Sequence, residues 1–256
     1  MAEVVIISPK VPPEVIARLS LSVHPLVFET GIVDYPYSTN GTAFLAGYEG
    51  KLYVVTTRHG LYPDGPDGPP QICVFPSDTS RRLIPLSNVF FVPRSDKPDD
   101  FTDLSIIEVD PAAQRDSELN QVTLINLALA VESGWAAGAS NMAFFVIGYP
   151  VERSSICPDS QELKTDRVVL IGTYIGESSI EYLHVLKVEN SYNLASFGGL
   201  SGSPVFMWSH AGNRQPKPIL CGMVVRGTAT SSLIHFLPIS ILIDAFQIKR
   251  NWHEEQ

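Results

Sequence analysis

The apolar positions of this chain fall in short runs, not in long helical stripes. Leu26-Val27-Phe28, Gly41-Thr42-Ala43-Phe44-Leu45-Ala46 and Lys51-Leu52-Tyr53-Val54-Val55-Thr56 are rich in β-branched and aromatic residues and are separated by turn residues. That pattern predicts strands, with a hairpin loop at Gly47-Tyr48-Glu49-Gly50. Further runs predict strands at 71–75, 88–92, 104–109, 143–148, 167–176, 182–188, 202–207, 219–225 and 233–237. Two segments have helical character. Pro12-Pro13-Glu14 places prolines and an acid where a first turn favours them, and the helix ends near Leu21. Ile239, Leu242, Ile243 and Phe246 recur at helical spacing. Residues 63–70, Pro-Asp-Gly-Pro-Asp-Gly-Pro-Pro, form a loop, and residues 110–140 form a connector. The expectation is one domain over 1–256, with β-lobes at 22–115 and 140–248 and a helix at each end.

Composition agrees with this picture and narrows the function. The chain has 256 residues, 45% hydrophobic and 18% charged, a globular balance. Its 20 prolines and 18 glycines are spread along the length, as many short strands require. The net charge of −9, with no basic cluster beyond Arg81-Arg82, argues against a nucleic-acid partner. No stretch approaches the length of a membrane span, and the acidic start at Met1-Ala2-Glu3 is unlike a secretory leader. Cys73, Cys157 and Cys221 are far apart, with neither disulfide-framework nor metal-ligand spacing. Together these point to a cytoplasmic protein without metal or membrane partner.

The candidate chemistry lies in three segments. In Gly198-Gly199-Leu200-Ser201-Gly202-Ser203-Pro204, a serine stands between glycines ahead of a strand. Glycine neighbours permit a tight turn whose N–H groups converge, as an oxyanion site requires. A serine nucleophile needs a base, and the base needs an orienting group. Thr57-Arg58-His59 closes an apolar strand and leads into a Gly- and Pro-rich loop, so His59 is accessible. Asp103 opens the apolar run Asp103-Leu104-Ser105-Ile106-Ile107, whereas Asp96, Asp99 and Asp100 belong to the polar loop before it. His24, His184, His210, His235 and His253 lack such a setting.

These three segments together resemble the trypsin-like serine peptidase family. The order His, Asp, Ser and the gaps of 44 and 98 residues are similar to the family's. Gly41-Thr42-Ala43-Phe44, Phe145-Val146-Ile147-Gly148-Tyr149-Pro150 and Leu220-Cys221-Gly222-Met223-Val224-Val225 resemble supporting strands. The Ser-Gly-Ser-Pro-Val-Phe string is most similar to bacterial-type members, including glutamyl endopeptidases. The resemblance implies an all-β fold of two six-stranded antiparallel barrels with the triad between them. It implies Ser201 as nucleophile, His59 as base, Asp103 as orienting acid, and the N–H groups of Gly199 and Ser201 as oxyanion hole. It implies peptide-bond hydrolysis of a protein or peptide substrate without metal or organic cofactor.

The departures from the family pattern carry implications too. Leu200 stands where secreted members have an Asp that pairs with a released N-terminus, so activation does not use that device. The restraint on a cytoplasmic protease then falls to a regulatory partner or ligand. Arg58 replaces a small residue beside the base, and Val225 replaces a serine that supports the triad acid in many members. By alignment through Ser201, Ala195 and Ser196 lie at the base of the primary pocket, and Arg226 and Gly227 lie on its edge. No acid occupies the base, and Val224 stands where glutamyl endopeptidases have a histidine. A small or apolar preference is the remaining expectation. The competing reading is a protease-fold module that binds a peptide or partner protein without cutting it.

Overall fold

The computed structural model describes residues 11–62, 72–77, 80, 82–92, 100–113, 122–132, 134–157, 162–189, 191, 193–209 and 215–254. The loop expected at 63–70 lies outside these residues, as do Arg81, Asp96, Asp99 and His210. Helix α1 (Pro13–Ser20) forms as expected, with proline in its first turn and Ile16 buried. The first sheet contains β1 (Val23–Ile32), β2 (Tyr35–Tyr48), β3 (Lys51–Thr56), β4 (Ile72–Cys73), β5 (Leu86–Phe91), β6 (Ser105–Val109) and β7 (Ile125–Asn126). Its antiparallel path runs β4-β1-β2-β3-β6-β5, with β7 added parallel to β2. β7 pairs Ala46 and Gly47, beyond the point where β1 stops at the Val23–Phe44 pair.

The second lobe is a closed six-stranded barrel. Its strands are β8 (Ala143–Gly148), β11 (Val168–Glu177), β12 (His184–Val188), β13 (Pro204–Ser209), β14 (Lys217–Thr228) and β15 (Leu233–Pro238). They close in the order β11-β12-β15-β14-β13-β8. A separate hairpin, β9 (Ser154–Cys157) with β10 (Glu162–Thr165), stands outside the barrel and was not predicted. The two-lobe all-β class is the observed one, with one difference. The second barrel closes by hydrogen bonds, whereas the first lobe's six-strand path ends at β4 and β5 without pairing between them among the described residues.

The runs that hid strand alternation have both faces buried. Ala43 and Leu45 of β2, Leu52 and Val54 of β3, and Ile107 and Val109 of β6 fill the first lobe. The intervening Phe44, Ala46, Tyr53, Val55 and Ile106 pack into the larger cluster that includes the second barrel. A strand covered on both faces reads as a continuous apolar run. The expected connector holds α3 (Leu127–Ala130) and a 3-10 turn at Trp135–Asn141. Helix α4 (Ile239–Glu254) returns to the first lobe, where Phe246 stacks on Tyr48 at 4.6 Å and meets Tyr53 edge-on at 4.8 Å.

Candidate active site

The site lies where β2 and β3 of the first lobe meet the turn before β13. His59 sits in a one-turn helix, α2 (Arg58–Leu61), and not at a bare strand end. Asp103 precedes β6, and β6 is hydrogen-bonded to β3, so sheet pairing delivers Asp103 beside His59. Asp103 Oδ2 is 2.7 Å from His59 Nδ1, and Oδ1 accepts the His59 backbone N–H at 2.9 Å. The Asp103 carbonyl accepts the Arg58 N–H at 3.3 Å. A carboxylate only accepts, so this contact selects the neutral tautomer with the proton on Nδ1, which leaves Nε2 as the acceptor. The side chain of Asp103 is 14% exposed and that of His59 51%, which leaves the imidazole open to a reactant.

The cation of Arg58 is engaged by an aromatic ring. Its guanidinium carbon lies over the Phe91 ring, 4.6 Å from the centroid. Phe91 also meets Tyr62, so β5 supplies an aromatic seat for this charge.

Ser201 is tied to the same strands as His59. Thr42 on β2 donates its N–H to the Ser201 carbonyl at 2.9 Å. The Thr42 hydroxyl donates to the Gly199 carbonyl at 2.8 Å and accepts the Tyr149 N–H at 2.9 Å. Thr56, three residues before His59, donates its hydroxyl to the Thr42 carbonyl at 2.8 Å. A Cβ on Gly202 would lie 1.9 Å from the Thr42 carbonyl oxygen, and Gly202 has φ +89°. Only glycine allows both that approach and that backbone. The Ser201 side chain points elsewhere: its Oγ donates to the Val225 carbonyl at 3.1 Å. No hydrogen bond joins Ser201 to His59 in this structure.

The expected oxyanion donors have their carbonyl neighbours anchored. Leu200 N–H bonds the Phe197 carbonyl at 3.1 Å, which closes a turn with Gly199 at φ +89°. A positive φ at that place defines a type II turn. The Gly198 carbonyl accepts the Val151 N–H at 2.9 Å, and the Leu200 carbonyl accepts the Ser203 N–H at 3.0 Å. Every described peptide is trans, so the N–H groups of Gly199 and Ser201 point opposite to these carbonyls. Neither N–H has a hydrogen-bond partner among the described residues.

The residues expected around the primary pocket are dispersed in their roles. Ala195 and Ser196 are exposed, and their N–H groups are bound by the Glu152 carboxylate at 3.0 to 3.2 Å. Gly227 packs against Phe197, whose side chain a Cβ there would meet at 2.9 Å. Arg226 pairs with Asp100 and keeps 52% of its side chain exposed. Across the strand lies His235, whose Nδ1 is 3.0 Å from Ser178 Oγ. Burial and then Arg226 hold the His235 imidazole below its ordinary pKa, against Asp100. Sequence reasoning missed Thr42, Glu152 and the Val225 carbonyl, because their roles depend on backbone atoms of distant segments. Among the described residues, no group of three or more His, Cys, Asp or Glu side chains is placed to hold a metal.

No family model matches the chain, and no curated protein is similar to it in sequence. Its fold has solved counterparts. A structure of Glu endopeptidase in complex with MPD aligns with TM-score 0.56 at 14% identity, over 98% of this chain and 95% of that one. The protease Anisep from Arthrobacter nicotinovorans aligns with TM-score 0.51 at 14% identity, over 85% of this chain and 89% of that one. The fold is therefore that of trypsin-like serine peptidases.

Proposed function

We propose that this chain is a serine endopeptidase that uses Ser201, His59 and Asp103. The single observation that carries the reading is the Asp103 carboxylate on His59 Nδ1 at 2.7 Å, which leaves Nε2 as a proton acceptor. In the proposed step, Ser201 Oγ attacks the scissile carbonyl carbon while His59 Nε2 takes the hydroxyl proton. The carbonyl oxygen becomes an oxyanion served by the N–H groups of Gly199 and Ser201. The C–N bond then breaks, and His59 gives its proton to the departing amine. Water attacks the acyl-enzyme by the same route, releasing the acid and restoring Ser201.

The substrate strand has a place to pair. β13 pairs β14 only as far as Met223, while β15 covers the other edge of β14 through Thr228. Among the described residues, no strand pairs 225–228 on that edge beside Ser201, which suits an added peptide strand. The Val225 carbonyl points to that edge, because Ser201 Oγ reaches it. By the two-residue strand period, Gly227 directs its backbone groups the same way. Arg226 and Gly227 then flank the peptide's N-terminal side.

A second reading is a protease-fold module that binds a peptide without cutting it. The bond from Ser201 Oγ to the Val225 carbonyl favours it, since the nucleophile is not on its base. A cytoplasmic setting, a bacterial-type affiliation and control by a partner or ligand are proposed with the first reading. Cys73, Cys157 and Cys221 are free thiols, in keeping with a reducing compartment. No described helix is long and apolar enough to cross a membrane.

Labelling with a serine-directed fluorophosphonate separates the two readings. The peptidase reading expects labelling of the purified chain that disappears in Ser201→Ala and His59→Ala. Absence of labelling both in the purified chain and in cell lysate, with peptide binding retained, supports the binding module instead.

A further inference from the structure

We propose that Glu152 is a positioning residue that holds the oxyanion turn in its competent orientation. The inference rests on the peptidase reading above and assigns a role that the triad does not fill. Residues 195–199 form the approach to Ser201, and their backbone is intrinsically loose: Gly198-Gly199 can flip its shared peptide at low cost. Such a flip would turn the Gly199 N–H away from the oxyanion position.

One short element prevents it. The 3-10 turn Val151–Arg153 follows β8 after Tyr149 and Pro150 and bonds this segment. Val151 N–H holds the Gly198 carbonyl at 2.9 Å, which fixes the direction of the next N–H through the planar trans peptide. Glu152 takes the N–H groups of Ala195 at 3.1 and 3.2 Å and of Ser196 at 3.0 Å. The Ser196 hydroxyl in turn accepts the Gly198 N–H at 3.0 Å. A chain of bonds thus runs from the Glu152 carboxylate through Ser196 to the Gly198 N–H, one peptide before the one that carries the Gly199 N–H. At Gly199 the fit is tight, since a Cβ there would lie 2.5 Å from the Tyr149 carbonyl oxygen and 2.6 Å from Val151 N.

The charge arrangement explains why a carboxylate is needed. Leu200 is apolar and 1% exposed, so the turn has no acid of its own to anchor it. Two successive backbone N–H groups form a concave donor pair that suits an anion. Hydrogen bonds to an ionised acceptor are stronger than neutral ones. Glu152 therefore supplies from the neighbouring loop the electrostatic anchor that the nucleophile turn lacks.

The test uses the full chain and a fluorophosphonate probe, with steady-state cleavage of a peptide selected from a library. Glu152→Ala is expected to slow labelling at least about tenfold, bounded by the roughly 10²–10³ lost with a whole oxyanion donor. Its loss falls on kcat, with KM changed less than about twofold, since the donors act on the transition state. Glu152→Gln keeps one acceptor oxygen without the charge and is expected to recover part of the rate. Because Glu152 is exposed, both variants retain the wild-type thermal midpoint within a few degrees. Equal labelling of wild type and Glu152→Ala overturns the proposal and leaves the peptidase reading standing. A rise in KM with kcat unchanged also overturns it, in favour of a substrate-pocket role. A loss in Glu152→Gln as large as in Glu152→Ala overturns the acceptor role. An unlabelled wild type overturns the peptidase reading and this proposal with it.

Discussion

Ser201 Oγ donates its hydrogen bond to the carbonyl of Val225 at 3.1 Å, so this hydroxyl rests on the edge proposed to pair a substrate strand. A peptide whose own N–H takes the Val225 carbonyl would free the hydroxyl to turn toward His59. N-methylation of the substrate amide just before the scissile bond is therefore expected to lower kcat/KM by about tenfold. One lost hydrogen bond accounts for about 1 kcal/mol of this. Equal rates for methylated and unmethylated peptides would argue against the coupling.

Asp103 makes two bonds to His59, one to the ring and one to the backbone. Asp103→Asn keeps the size but offers an amide that can donate to Nδ1, which puts the proton on the wrong nitrogen. A drop in kcat of about 10⁴ is expected, with little change in thermal midpoint. Pre-steady-state acylation kinetics measure it directly.

Gly202→Ala places a methyl 1.9 Å from the Thr42 carbonyl oxygen and in a φ of +89°. Neither the backbone oxygen nor the turn can yield cheaply. A stability loss of at least about 1–3 kcal/mol is expected, together with loss of probe labelling. Chemical denaturation of the variant against wild type reads the first, and gel fluorescence the second.

Alkaline pH reports on the contact between the lobe and its C-terminal helix. Tyr53 packs against Phe246, and burial, followed by the nearby Glu108 carboxylate, raises its pKa from 10.0 to about 12. Between these values the unfolded chain has released a proton that the folded chain still holds. Stability is therefore full below pH 10, declines as pH rises, and has lost this contribution above about pH 12. The loss is of the order of 1.4 kcal/mol per pKa unit. Tyr53→Phe is expected to flatten the denaturation midpoint over that range.

Acid acts through two histidines of the second barrel. His184, hydrogen-bonded to Tyr174 OH at 2.7 Å, is lowered from 6.5 by burial, with Glu177 opposing. His235 is lowered by burial and by Arg226. Below pH 6.5 the unfolded chain protonates these positions before the folded one does. Stability therefore falls as pH drops from 6.5 toward the lowered values. Replacing either histidine with Gln is expected to shallow that fall in urea denaturation followed from pH 7 to 4.5.

Much of this was legible in the residues. The strand runs at 41–46, 51–56 and 143–148 were visible because apolar, β-branched stretches stood between turn residues. The order His59, Asp103, Ser201 pointed to the candidate site, where His59 and Asp103 are in contact and Ser201 Oγ is bonded to Val225 instead. What escaped was carried by backbone atoms. Thr42 reads as an ordinary strand residue, yet its N–H, carbonyl and hydroxyl all serve the site. Glu152 looks like a solvated charge until its two backbone partners, more than forty residues away, are placed beside it. The β9–β10 hairpin escaped for another reason: Ser154-Ser155-Ile156-Cys157 has too few apolar positions to show a period.

Thr42 also sets how the molecule comes apart. Its amide, buried and bonded across the lobes to Ser201, is not exposed by fraying of either sheet edge. Solvent deuterium would reach it only through an opening that undocks the nucleophile turn from β2. Its protection factor would then equal that of the most slowly exchanging barrel amides, so loss of catalytic geometry and global unfolding would be one event. A protein built this way would have no partly opened form in which the turn before β13 has left β2 while the barrel stays folded.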